Sequence, residues 1–414
     1  MAQRRSIAAA TAAIALVLVS IPLAAPGLQV VPGAEAGAPG WLKGIYGGGF
    51  GLSPDAYRAL LYVAVAVWIG VVVFADGLGR RALKFAAGGL ILLFALSPPL
   101  LSLDLFSYVS YAQLGVEHGL NPYTSAPEVI PTDEAAMRVQ DFRDAVSVYG
   151  PAFTLLSYPL ALLGVPAAMW SLKLLAAMSL AGIALICHRL ATLRGVDPAR
   201  AVAFVALNPL MLVHIAGGGH NDALMILLAM LAVALALTSR PAAAGVALVG
   251  SVAVKAAGAL YAPFAIAGSN RERRRMLAAI IATGVVTTIV GLAAFGGHVI
   301  ESLSVAGGNQ GTVSHWSVPA TLSRITGIDV DALRIVAGLA YVGLVVQLLI
   351  WTVRGLDWVR AAGWAAFGLL VASAYMAPWY LVWLLPLAAI SRDRWLMAAA
   401  TAFTIFQVTN GIPG

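Results

Sequence analysis

Charge is what this chain has least of. Only 10% of its 414 residues are Asp, Glu, Lys or Arg, while 61% are hydrophobic. A soluble globular domain carries about 25% charged residues, and a chain this poor in charge cannot cover a water-facing surface. Soluble enzyme, nucleic-acid binder and disordered scaffold are excluded, which leaves an all-α, polytopic membrane protein. Cysteine is nearly missing as well. Cys187 stands alone, which excludes an internal disulfide framework and a cysteine-rich metal site. The six histidines show no metal-ligand spacing, so neither a metal nor a cofactor is expected. Carboxylates are missing from the middle of the apolar stretches. Intramembrane charges usually mark ion or proton paths, so their scarcity argues against a proton-coupled transporter. No internal repeat and no separate soluble domain is evident, and residues 1–414 read as one membrane domain.

What is present is a succession of apolar stretches. A helix crosses the hydrocarbon with roughly 20 residues. Stretches of that kind occupy residues 6–25, 57–76, 84–100, 168–190, 200–216, 222–238, 241–256, 276–295, 333–353, 361–377 and 395–410, with shorter ones at 257–268 and 380–391. Residues 151–164 are shorter than a usual span and contain Pro151 and Pro159. Lysine and arginine set the orientation. With a cytoplasmic N-terminus and a re-entrant or interfacial 151–164, 17 of the 25 Lys and Arg fall on cytoplasmic segments, including Arg271 and the run Arg273–Arg275. If 151–164 crossed, that basic cluster would face outward. The expectation is therefore about thirteen spans, N-terminus inside and C-terminus outside, in the plasma membrane. The first stretch, with Arg4 and Arg5 before an apolar core, also resembles a signal peptide; it is read as a retained anchor.

The polar residues gather on one side. A first large exoplasmic loop covers residues 101–167 and a second covers 296–332; tight outer turns add His220 to Asp222 and Pro378 to Tyr380. Lys173 and Lys255 lie near outer span ends, within reach of the interface. Binding residues concentrate on loops of this kind, so a site opening to the exoplasmic side is expected.

Residues 97–123, SPPLLSLDLFSYVSYAQLGVEHGLNPY, are the most informative. Pro98 and Pro99 end the preceding span for want of an amide donor. Asp104 follows at the water boundary, flanked by Phe106, Tyr108 and Tyr111. A carboxylate against apolar surface is a better base; a helix cap or a solvated aspartate is the plainer reading. Asn121-Pro122-Tyr123 is a turn, as is VYGP at 148–151, where Tyr149 offers a ring for a sugar. In GGGHNDALM, residues 217–225, the glycines permit close backbone approach. Asn221 or Asp222 can cap the next helix, and His220 can donate to an anion. Lys255 in SVAVKAAG either snorkels or meets a phosphate. His315, Trp316 and Arg324 in SHWSVPATLSR, and Trp379 and Tyr380 in APWYLVWLLPL, suit either an aromatic belt or stacking on a sugar.

The order of these motifs is more specific than any one of them. SLDLFSY, GLNPY, VYGP, NPL with GGGHNDALM, VKA before a basic run, and PWYLVWLLPL follow one another over about residues 84–390. In this the chain resembles the actinobacterial polyprenyl-phosphomannose-dependent α-1,6-mannosyltransferases, membrane glycosyltransferases of the GT-C superfamily. It departs from them in having Leu103 before Asp104, where an Arg-Asp pair is more usual, and Ala152 after Pro151. The resemblance implies transfer of mannose from a polyprenyl-phosphate donor to a lipid-anchored mannan on the outer face. It assigns the general base to Asp104, the turn motif to His220, Asn221 and Asp222, and the lysine motif to Lys255. A single inverting displacement needs one base and no separate acid when the leaving group is a phosphate. Lys255, Arg324, His220 or His315 would then stabilise the departing charge. The competing expectation is a carrier or flippase for a lipid-linked sugar, which would need polar groups along a path through the bilayer.

Overall fold

A computed structural model describes residues 2–27, 30–32, 39–139, 142–269, 272–301 and 312–413. Arg271, Asn309 and Gln310, all placed by sequence on loops, lie outside the described residues. Every regular element among the described residues is helical. The chain divides into two compact units: residues 1–146, 154–224 and 411–414 form one, and residues 147–153 and 225–410 the other.

The first unit contains α1 (Ala2–Ala24), α2 (Pro54–Val73), α3 (Arg80–Ala95), α4 (Asp104–Val116), α6 (Val165–Arg194) and α7 (Pro198–Ala206). α5 (Pro151–Ala161) lies mostly in it, and its 11 residues make it shorter than a usual span. Ser53 and Asp197 open α2 and α7 by accepting main-chain amides, each followed by proline at the first helical position. α2 and α7 are pinned together by Trp68, which is fully buried, stacks near Phe204 and donates its indole N–H to the Ala203 carbonyl at 3.0 Å. The long stretch expected at 200–216 is broken. Asn208 accepts the amides of Leu210 and Met211 ahead of a π-helical turn at Met211–Gly217, which leaves α7 at 63°. Pro209 has no amide to donate, so the side chain of Asn208 supports the interruption.

The second unit contains most of α8 (Asp222–Leu237), then α9 (Pro241–Val254), α10 (Ala262–Gly268), α11 (Arg273–Phe295), α12 (Val318–Thr326), α13 (Val330–Val353), α14 (Trp358–Ala372), α15 (Leu385–Ile390) and α16 (Arg394–Phe406). α9 lies so close to α11 that a methyl on Gly245 would fall 2.7 Å from the Met276 carbonyl. Asp393 fastens the α15–α16 turn to α14 by accepting from Arg360 Nε at 2.7 Å and Trp364 Nε1 at 2.9 Å.

Five helices among the described residues are long and apolar enough to cross a membrane: α1 from Gln3, α2, α6, α11 and α13. The broken α7 pair would make six. Helices of 10–17 residues account for several other expected spans, among them 222–237, 241–254 and 358–372. In α11 and α13 only 11% and 6% of the apolar window is buried within the protein. So large an apolar surface suits lipid and not water, and the chain is a membrane protein.

Candidate active site

In the first unit, the candidate site is built where α3 ends. Ser97-Pro98-Pro99 stops that helix, and the chain turns through Leu101 (φ +56°) to Leu103, which caps α4. Asp104 is therefore the first residue of α4 and not its cap; its amide donates to Ser102 Oγ at 3.1 Å. Its side chain is 30% exposed, and its Oδ2 lies 3.2 Å from Nδ1 of His220. His220 is 0% exposed. A solvent-reaching carboxylate thus has a buried imidazole directly behind it.

The glycines at 217–219 make this pairing possible. A methyl on Gly217 would fall 2.7 Å from Leu100, one on Gly218 would fall 2.4 Å from the His214 carbonyl, and one on Gly219 would fall 2.7 Å from Leu105. Gly219 also sits at φ +74°, which favours glycine. The turn carrying His220 is thereby pressed against the start of α4. Lys173 of α6 holds the two together. Its Nζ lies within hydrogen-bond distance of four acceptors that share its N–H groups: the Gly217 carbonyl, Pro98 O at 3.1 Å, Ser97 Oγ at 3.3 Å and Phe94 O at 3.4 Å. The sequence placed Lys173 within reach of the interface, but it is fully buried. Carbonyls freed at two helix breaks offer it more than the interface does, because an ammonium with three donors needs such partners once buried.

Tyr108, one turn beyond Asp104, is 1% exposed, with its hydroxyl 3.4 Å from Asn221 Oδ1. Asp222 is also fully buried, at the first position of α8, where a negative charge is favoured by the helix dipole. His220 and Asp222 are thus placed behind the surface that a substrate would touch. Asn121 folds its own turn by accepting the Tyr123 amide at 3.0 Å. The Tyr123 hydroxyl is hydrogen-bonded to Thr154 Oγ1 at 2.9 Å, and burial pushes its pKa up to about 12. Tyr111 donates to the Ala145 carbonyl at 2.8 Å. Its pKa is raised by burial and then by the charges of Asp104 and Asp144, so it stays a neutral phenol beside the carboxylate.

The second unit holds a separate feature, a cavity of about 780 Å³, within the usual range for a small-molecule site. Lys255, Arg334, Tyr341, Tyr375, Tyr380 and Trp383 are among its lining residues. Lys255 sits at the break after α9 in extended conformation. Its Nζ is 5.1 Å from the Tyr380 ring centre and 6.0 Å from that of Trp383, and those two rings stack at 4.2 Å. The Trp383 carbonyl is held by the buried Tyr261 hydroxyl at 2.6 Å. Arg334 Nη1 pairs with Asp331 at 2.5 Å. VYGP and VKA, distant in sequence, meet here: Gly150 donates to the Val254 carbonyl at 3.0 Å, and a methyl on it would fall 2.1 Å from Ala253 O. Tyr149 lines a smaller apolar pocket of about 200 Å³ with Pro151, Thr287 and Thr288.

His315, Trp316 and Arg324 do not line the large cavity. Arg324 is exposed and donates to the His315 carbonyl at 2.6 Å; the Trp316 carbonyl accepts from Gln407 at 3.0 Å. These contacts fold the 314–326 segment. Trp379 packs edge-on against Tyr380. Arg334 and Trp383 were not singled out from the sequence. Asp331 and Arg334, three apart on a helix, look like a surface ion pair, and only the cavity wall distinguishes them.

The solvent-reaching carboxylate of the first unit and, separately, the cavity of stacked rings and two cations in the second are each groups that suit a sugar-transferring enzyme. The family described as "Alpha-(1->6)-mannopyranosyltransferase, N-terminal domain" matches residues 56–271, and "MptB C-terminal domain" matches residues 308–413. Alpha-(1->6)-mannopyranosyltransferase A of Mycobacterium tuberculosis is 28% identical over 382 residues, covering 83% of this chain and 74% of that protein. Alpha-(1->6)-mannopyranosyltransferase B of Corynebacterium glutamicum is 27% identical over 381 residues, covering 77% and 61%. The protein of that organism named with the suffix A is 31% identical over 172 residues, 41% and 35% of the two chains. No solved structure matches. These matches make the protein a membrane glycosyltransferase. Specifically, the chain belongs to the alpha-(1->6)-mannopyranosyltransferase family.

Proposed function

We propose that the protein transfers mannose from a polyprenyl-phosphate donor to a hydroxyl of a lipid-anchored mannan, with inversion at the anomeric carbon, on the exoplasmic face of the plasma membrane. The observation that carries the reading is Asp104, reaching solvent with His220 3.2 Å behind it. Asp104 takes the proton of the acceptor hydroxyl. The oxygen attacks the anomeric carbon as the bond to the phosphate oxygen breaks, and the phosphate leaves with the bonding pair, still on its prenyl chain. One base is enough because a phosphate needs no protonation to depart.

His220 orients the carboxylate and, having no exposed surface, touches no substrate. Tyr108 and Asn221 support that turn from α4. Lys255 and Arg334 are suited to a phosphate, Lys255 as a point charge, and Tyr380 and Trp383 to the face of a sugar ring. Asn121 and Tyr123 fold the loop after α4, Tyr149 lines the smaller pocket of the second unit, and His315, Trp316, Arg324 and Trp379 are further candidates for sugar contacts in that unit. The thirteen-crossing arrangement belongs to this proposal. In it the shorter helices cross as bent or paired pieces, tolerable where their broken ends are buried in protein, as Lys173 illustrates.

The test uses membranes carrying the full chain, labelled polyprenyl-phosphate mannose and a mannan acceptor, with product linkage read by NMR. A new α-1,6 mannoside is expected, with Asp104→Asn lowering transfer by about 10²–10⁴-fold and leaving donor binding intact. Movement of donor between leaflets without a new glycoside, or Asp104→Asn within threefold of wild type, would overturn it.

A further inference from the structure

α4 ends at Val116, and the next two residues, Glu117 and His118, meet Asp133 returning from the following loop. One ligand atom from each of the three lies within 4.8 Å of the others. His118 Nε2 is 3.5 Å from Asp133 Oδ2. The side chain of Asp133 is 8% exposed, and its other oxygen is taken by the amide of Ala135 at 2.9 Å, so Oδ2 is the atom left facing His118. A second observation points the same way. Gln113, one turn before Glu117, is 6% exposed; its amide nitrogen is 3.5 Å from Glu117 Oε1, and its Oε1 has no partner among the described residues. A buried unpaired amide oxygen is costly; the atom of this amide that stands toward Glu117 is its nitrogen, and the unpaired oxygen is the other. The nitrogen and oxygen of such an amide exchange places with little change in packing.

We propose that Glu117, His118 and Asp133 bind a divalent transition-metal ion, with the Gln113 oxygen turned toward it as a fourth ligand. An imidazole among carboxylates favours zinc-like ions over calcium or magnesium. In a tetrahedral shell with bonds of about 2.1 Å, ligand atoms stand roughly 3.4 Å apart. His118 and Asp133 already do, and the exposed side chains of Glu117 and His118 need only close inward. Two carboxylates match the charge of the ion, and the C-terminal end of α4 adds partial negative charge. The ion is structural. Glu117 lies thirteen residues along the chain from Asp104, about 20 Å at 1.5 Å per residue. Its work is to close the loop 118–132, which carries Asn121 and Tyr123.

The full chain, purified in detergent and dialysed against chelator, is titrated with zinc alone, and metal content is read by mass spectrometry. One zinc per chain and a raised thermal midpoint are expected. His118→Ala and Glu117→Gln, both at exposed positions, weaken binding at least tenfold. His298→Ala, which removes the His298–Glu301 pair elsewhere, leaves binding unchanged. Absence of stoichiometric zinc, equal affinity in the variants, or preferential uptake of calcium or magnesium would each overturn the proposal.

Discussion

His220 offers the sharpest test of the catalytic arrangement, because its burial limits how it can act. With no exposed surface and Nδ1 3.2 Å from Asp104 Oδ2, it influences transfer only through that carboxylate. Aligned as a hydrogen bond to the charged carboxylate when substrate is bound, this contact would be worth about 1.5–3 kcal/mol, which corresponds to roughly 10- to 150-fold in rate. His220→Gln keeps a polar side chain of similar reach and is expected to lower kcat by an amount in that range, leaving the donor KM unchanged. Asp104→Asn is expected to cost about 10²–10⁴-fold. The double variant should be no worse than Asp104→Asn alone, since residues acting as a unit are strongly non-additive. The assay is a four-protein cycle with labelled donor in detergent micelles, kcat and KM measured separately. Two results would refute the reasoning: losses that multiply in the double variant, or a His220→Gln effect confined to donor KM, which would make the imidazole a substrate contact.

Lys255→Met is expected to raise the donor KM about tenfold or more while Lys255→Arg retains part of the affinity, measured by donor titration; unchanged KM in both would remove the lysine from phosphate binding. Gly219→Ala forces a methyl to within 2.7–3.0 Å of Leu105 at φ +74°, and both a lowered thermal midpoint and slower transfer should follow. Asp393 gives a pH-dependent signature. Burial alone would raise its pKa, but hydrogen bonds from Trp364, the amides of Leu396 and Trp395, and Arg360 outweigh burial and lower it. A depressed carboxyl contributes stability above its unfolded value near 3.9, and that stability is lost as pH falls through the folded value. Thermal midpoints of wild type and Asp393→Asn should therefore differ at pH 6 and converge toward pH 3.

The helical membrane body was legible in the scarcity of charge, and the order of SLDLFSY and GGGHND pointed to Asp104 and His220 separately. Their pairing was not legible, because 116 positions separate them and no local pattern reports which helix ends meet. Lys173 was misread for a related reason. A lone lysine near a span end looks like an interfacial one, and the carbonyls that claim it come from Phe94, Pro98 and Gly217, on two other segments. The long stretch at 200–216 read as a continuous span because its residues are apolar throughout. Asn208-Pro209 was the break signal, and its strength depended on a side chain closing back onto Leu210 and Met211. Arg334 escaped notice because a pair three residues apart on a helix carries no information about the hollow beside it.

The turn at 217–219 has a bearing on how this enzyme can be altered. Each of its three glycines is hemmed by a different neighbour: a leucine before α4, a carbonyl of the π-helical turn, and a leucine within α4. Enlargement at Gly218 meets a main-chain carbonyl and at Gly219 a left-handed backbone, neither of which a side-chain shift relieves, so the turn has little room to vary there. Libraries aimed at new acceptors should hold residues 217–219 fixed and spend their diversity on the loops.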